Sequence, residues 1–395
     1  MMLKNIIIVT LILCLYGGKL ASAQVPDGAP APAVQLSLEP FHRIDLGNLE
    51  SFRRELTLRC LGQLQDADFR NLLASRLGPD QTRASLNQVV DDWAELFPTP
   101  GHRQFAARLR ELDRDLRERM GIDRTARSIL GLQVVWPATG PQRLDWNRTL
   151  FAVRPQHRGT GPAFVEAYDR RGRMVKLDPR TPPAVPVILA GSDRREAVRA
   201  GLETVNRGLR QAGFAADHRA DAPARPIECA KLTAIRLAED QESWWEGGVE
   251  TYALVSGIDP AADKPNIKLV NLPYLRHEAT DYFPDQVILF WSDYRFSAAN
   301  LQFWDHGDAT DYKEILDAVL KGAAAAMTAA GAPVYAWIPV LADAILQSMP
   351  ASWWKGEDTW LDTFYALEKG QACQDRLGAG RTVRISLVPW TLQPQ

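Results

Sequence analysis

The feature that most constrains this chain is a change of hydrophobic period near residue 130. From Phe41 to about Ile129, apolar residues recur at three and four, the spacing of one helix face. Beyond that point they come in short runs broken by turn residues, which is the pattern of strands. One chain must therefore bury a helical layer and several sheets, and the fold class expected is α+β. The segments read as an N-terminal helical domain over 41–131, a small α/β region over 132–217, a linker "HRADAPARP" over 218–226, and a C-terminal antiparallel β-sandwich over 227–395. The sandwich carries a helical insertion over 311–349. It is also Trp-rich, with nine of the 12 tryptophans after Ile227.

Within the helical part, "LGNLESFRRELTLRCLGQL", "DADFRNLLASRLG", "SLNQVVDDWAELF" and "GHRQFAARLRELDRDLRERMG" each predict a helix. Asp66 or Asp68 is the N-cap of the second, and Gly78 its stop. The last pairs acids and arginines three and four apart, which predicts a salt-bridged, solvated face. Strands follow at "LQVVWPA", "RTLFAVRP", "AFVEAYDRRG", "RMVKLDP" and "VPVILAG", with "DRRGR" as a hairpin turn. A helix capped by Ser192 or Asp193 comes next, and Gly213 stops it. In the sandwich the strands are "CAKLTAIRLA", "VETYALVSGI", "NIKLVNLPYL", "QVILFWSDY", "NLQFWDH" and "RTVRISLVPW".

The N-terminus combines Lys4, a short apolar run and "ASA" before Gln24. This is the layout of a secretory signal peptide over 1–23, followed by a Pro/Ala tether over 24–40, so the expected location is secreted or periplasmic. In an oxidising compartment one cysteine pair can form. Cys60 lies in a helical apolar pattern, which leaves Cys229 and Cys373 as the expected disulfide. The formal charge is -2, and losing Lys4 and Lys19 with the leader makes it more negative, which argues against a nucleic-acid partner.

Acids gather in three loops of the sandwich. "AEDQESWWEGGVE" holds Asp240 and Glu250, "WDHGDATD" holds Asp305, Asp308 and Asp311, and "SWWKGEDTWLDTFYAL" holds Asp358 and Asp362. With strands alternating up and down, these loops share one end of the sandwich. Converging carboxylates repel by roughly 1 kcal/mol per close pair in water. A hard cation with 6–8 oxygen ligands relieves that, so calcium is the expected cofactor and Asp240, Glu250, Asp305, Asp308, Asp358 and Asp362 its candidate ligands. The competing role is capping: Asp311, with Glu314, suits a helix starting "YKEIL", and Asp358 suits a helix "TWLDTFYALEKG". Two tryptophan pairs, Trp244-Trp245 and Trp353-Trp354, flank the acids and would either insert into a membrane or stack on a sugar, or else pack on the sandwich end.

At these residues the chain resembles the calcium-dependent phospholipid-binding β-sandwich of the protein kinase C and synaptotagmin type. The resemblance matches Asp240, then Asp305 with Asp308, Asp358 and Asp362, to the calcium-holding acids of that module. The spacing here is Asp305-x-x-Asp308, where the module has Asp-x-Asp. Through "GGVETY", "NLPYL" and "FYALEKG" the chain also resembles an uncharacterised family of exported bacterial proteins, a domain of unknown function.

Motifs for catalysis are sparse. In "RHEATD" the position four after His277 is Asp281, where a zinc-protease helix needs a second histidine. Ser192 stands at a strand-to-helix turn, but its flanks are not those of a nucleophile elbow, and N-capping accounts for it. The expectation is an exported, non-enzymatic binding protein that engages a membrane surface, a glycan or an envelope protein. The alternative is a secreted hydrolase in which Glu250, Asp305 and Asp308 act as general acid and base.

Overall fold

The computed structural model describes residues 48–139, 142–155, 162–215, 225–238, 244–245, 248–307, 310–328, 333–350 and 359–394. The chain enters through α1 (Leu49–Gln63) and α2 (Ala67–Arg76). A short strand β1 (Arg83–Ser85) leads into α3 (Leu86–Leu96) and α4 (Pro100–Arg119). Each start is fixed by a side-chain cap: Asn48, Asp66, Ser85 and Thr99 accept hydrogen bonds from the first free amides of their helices, a contribution of about 1 kcal/mol each. On α4 one carboxylate turns inward. Asp113 is buried and accepts from Ile129 N (2.8 Å), Leu130 N (3.1 Å) and Arg117 Nε (3.0 Å), so it ties the helix to the first long strand.

That strand is β2 (Leu130–Val135), followed by β3 (Leu150–Val153), β4 (Val165–Tyr168), β5 (Met174–Leu177) and β6 (Val187–Ser192). With β1 they form a six-stranded sheet of order β1-β2-β6-β3-β4-β5, in which β3 and β6 run parallel. One face, with Leu132, Phe151, Ile188 and Ala190, belongs to the core of α1–α4; the other, with Ala152, Val187 and Leu189, is closed by Trp245. Helix α5 (Arg194–Gln211), capped by Asp193, then leaves the sheet.

The C-terminal half holds β7 (Ile227–Leu237), β8 (Thr251–Ile258), β9 (Pro265–Asn271), β10 (Gln286–Phe290) and β11 (Ala298–Asp305). The helical insertion is α6 (Tyr312–Thr328) and α7 (Trp337–Ser348), and the chain ends in β12 (Thr359–Glu368), β13 (Cys373–Leu377) and β14 (Val383–Leu392). Two four-stranded antiparallel sheets result, β10-β7-β14-β13 and β12-β11-β8-β9. They share a core: Leu232, Ile235 and Ile385 of the first meet Val255, Leu301, Phe303 and Phe364 of the second.

The expected helix over "TWLDTFYALEKG" is a strand. β12 pairs with β11, opposing Phe303 to Asp362 and Leu301 to Phe364.

The two sheets have different surroundings. The outer face of β8, β9 and β11 is covered by helices. Asn300 donates to Ile338 O and Gln302 to Ala342 O (3.3 Å), pinning α7 to β11, while Asn206 of α5 bonds the backbone of Leu269 in both directions (2.8 Å each). Helices α5 and α6 touch where Gly201 meets the Tyr312 ring, a contact any β-carbon would block. One buried cluster therefore runs from α1–α4 through the six-stranded sheet and α5–α6 to the back of β8 and β9. The helical segment and the central sheet share that core. Among the described residues, no α-helix packs extensively on the other sandwich sheet.

Candidate functional site

Two of the expected acids do meet. Glu250 N donates to Asp305 Oδ1 (3.0 Å), where the ends of β8 and β11 pair at Thr251 and Asp305. What faces the Glu250 carboxylate is arginine. Arg83 from β1 is 3.3 Å away and Arg195 from α5 is 3.4 Å away, while Arg194 donates to the His306 carbonyl. Glu250 is 5% exposed, and burial raises its carboxyl above the usual range more than Arg83, Arg195 and Arg194 lower it. Burial likewise lowers Arg83, against the pull of Glu250. At Glu250 and Arg83 desolvation thus outweighs their attraction, as in other buried ion pairs. The cavity beside it, between Arg83, Gln133, Arg154 and Asp193, holds about 10 Å³, room for one water. Chemically the cluster joins three layers, the first sheet, α5 and the sandwich.

Asp362 plays another part. It is fully buried within β12, not in a loop, and points across the sandwich. Its carboxylate accepts from Thr363 N (2.8 Å), Gly380 N (2.6 Å), Thr382 N (2.9 Å) and Val383 N (2.9 Å), clamping the β13–β14 turn. Gly378 is required there, because a β-carbon would overlap the carboxylate. With its acceptor positions filled by amides, Asp362 is a structural anchor. Asp311 is a cap, accepting from Lys313 N (2.8 Å). Asp240, Asp308, Asp358, Trp353 and Trp354 lie outside the described residues. Among those described, no three His, Cys, Asp or Glu side chains gather as metal ligands would.

The tryptophans and cysteines follow packing. Trp245 is 1% exposed beneath the six-stranded sheet and unavailable as a contact surface, and Trp244 Nε1 donates to Asp178 O (2.9 Å). The expected Cys229–Cys373 bridge is corrected: both are free thiols, as is Cys60. Cys229 lies on β7 opposite Trp390, and Cys373 on β13 opposite Leu387, with β14 between them. Two strand spacings are about 10 Å, beyond the roughly 7 Å limit of a disulfide.

The open sheet presents exposed side chains beside clefts, and the acid-loop reading passed over them. Arg236 of β7 and Arg384 of β14 are direct cross-strand partners, so both point outward from one face. Arg236 pairs with Asp281 (3.1 Å) and Arg384 with Asp375 (2.7 Å). Arg381, in the turn clamped by Asp362, has a left-handed backbone (φ 62°) and makes no side-chain ion pair with a described residue. These residues and Leu377 line a cleft of about 470 Å³. At the other end of the same strands, Lys231 lies 3.8 Å over the ring of Trp390, beside a second cleft of about 350 Å³ that includes Trp291 and Lys369. The signal was present in the sequence: in "AIRLA" and "TVRIS" each arginine sits between two inward apolar residues, which puts it on the solvent face.

These features define a mixed α+β protein in which a helix-backed antiparallel double sheet leaves one face open. The chain belongs to the family described as "Protein of unknown function (DUF3103)", whose model matches residues 54–395. That match spans the helical layer, the central sheet and both sandwich sheets. No curated protein and no solved structure matches the chain.

Proposed function

We propose that this is an exported, non-enzymatic binding protein whose C-terminal double sheet recognises its ligand on the open outer face of β7, β13 and β14. The observation that carries the reading is the asymmetry of the two sheets. One is backed by α5–α7; the other exposes Arg236, Arg384 and Trp390 beside two clefts of ligand size. Exposed Trp and Arg on a rigid sheet are the side chains that most often dominate binding energies. The cluster at Glu250 and Asp305 supports a scaffold role, because its arginines already neutralise it and the adjoining cavity takes only one water.

Hydroxyl-radical labelling of the intact protein, alone and with an envelope extract of a bacterium, tests this. The reading expects protection of Trp390 and Leu377, which are 47% and 38% exposed. It expects none at Tyr335 and Val340 on the helical side, 62% and 38% exposed. Protection confined to Tyr335 and Val340 would overturn it.

A further inference from the structure

We infer that the cleft between the ends of β7, β13 and β14 binds a small polyanion, a phosphate ester or a di- or tricarboxylate, held by Arg236, Arg381 and Arg384. This rests on the reading of the open sheet as the recognition face and narrows it to one end of that face.

Four features point there. The first is the arginine pair itself. Like charges directly opposite each other repel across an antiparallel pair of strands, and Arg236 faces Arg384. Facing side chains start about 5 Å apart, close enough for two guanidinium forks to grip one phosphate or two carboxylates in bidentate fashion.

The second is the weakness of their present partners. The Arg236–Asp281 side chains are 44% and 57% exposed, and those of Arg384–Asp375 are 44% and 62% exposed. Pairs this wet contribute little, so an incoming oxyanion can displace Asp281 and Asp375, which are then solvated where they stand.

The third is Arg381. A non-glycine residue at φ 62° is strained. It persists because Asp362 over-determines the turn from inside the sandwich through Gly380 N, Thr382 N and Val383 N. A strained cation on a rigidly anchored turn, beside two further cations, is preorganised in the way binding sites are. Asp362 is a positioning residue here, since it touches the turn and not the ligand.

The fourth is the shape and chemistry of the space. About 470 Å³ suits a small molecule, and the charged lining of Arg236, Asp281, Asp375, Arg381 and Arg384 suits an ionic ligand over an apolar one.

Calorimetric titration of the full protein with pyrophosphate, and separately with citrate, tests the inference at low salt. At least one should bind, more weakly as salt rises. R236A and R384A should each weaken binding about tenfold or more, the loss of a charge-assisted hydrogen bond. R381G should weaken it comparably without lowering the melting temperature, because glycine relieves the left-handed backbone while the charge is lost. R108A, an exposed pair on α4, should change nothing. Absence of binding by either anion, or binding that R236A, R384A and R381G leave intact, would overturn the inference. Vesicles containing an anionic phospholipid form a further arm: binding to them alone would overturn the small-ligand inference. The open-face reading would survive that result if Trp390 and Leu377 are still protected, and would fall with it if protection moves to Tyr335.

Discussion

Two groups of arginines in this molecule share one chemistry and stand in opposite surroundings. Arg83 and Arg195 are enclosed between the six-stranded sheet, α5 and the helix-backed sheet, and both face the buried Glu250. Arg236 and Arg384 stand on the open sheet, each with an exposed acid for company. In the first group Glu250 is buried and the arginines are 15% and 24% exposed, so the acid cannot be removed cheaply and the set holds layers in place. In the second the charges remain solvated, the pairs are exchangeable, and a ligand can replace the acid. Burial, not residue type, separates the two groups. The acids make the same point. Asp362 is spent on amides inside the sandwich, whereas Asp375 waits at the rim of a cleft.

The contrast can be broken at several levels. The largest effect is expected at the buried anchor. Asp362→Ala leaves three amides of the β13–β14 turn without an acceptor, at about 1–3 kcal/mol each, and should lower stability by about 4 kcal/mol or prevent folding, read by chemical denaturation. Glu250→Ala removes the acid that Arg195 faces and leaves Arg83 with Asp193 (3.5 Å), and should lower it by about 3 kcal/mol. Arg384→Ala, by contrast, should change stability by less than about 1 kcal/mol. Equal costs for the last two would erase the distinction between the two groups.

A smaller effect concerns pH. Burial pushes the Glu250 carboxyl above its ordinary value of 4.5, so the folded chain holds that proton more tightly than the unfolded chain does. Between the two values the native state binds more protons, and stability from this group falls as pH rises through the window just above 4.5. Glu250→Gln is neutral throughout, so the difference in denaturation free energy between it and the parent should grow in favour of the variant as pH rises through that window. A difference that is constant with pH would contradict this account of Glu250.

The smallest effect expected is from calcium. Glu250 and Asp362 are already countered, by guanidinium groups and by amides, so millimolar Ca²⁺ or a chelator should leave the melting temperature unchanged. A rise of several degrees would show that Asp240, Asp308 and Asp358 assemble a metal site of their own.

Much of the fold was legible. The four N-terminal helices, the five strands from Leu130 to Ser192, the Asp169 hairpin and the helical insertion all follow from period and turn chemistry. What misled was double burial. β12 lies between β11 and solvent in its sheet but packs Phe364 into the sandwich core while Trp360 packs toward the helices, so "TWLDTFYAL" lost its alternation and looked helical. Its bulges, with Ala366 at φ 46°, added to the ambiguity. β1 is three residues long and hid in the cap of α3. For the candidate site, the outward direction of Arg236 and Arg384 could be read from their strands. Their direct opposition could not, because it depends on a register between segments about 150 residues apart, set by the shared core and a bulge between Ser386 and Leu387.

The central claim is that the open arginines recognise and the buried ones support. NMR of arginine Nε–Hε groups during a pyrophosphate titration tests it directly. The account predicts shifts at Arg236, Arg381 and Arg384 that saturate together, with Arg83 and Arg195 unmoved. Shifts spread evenly over exposed arginines, or confined to the Glu250 cluster, would contradict it.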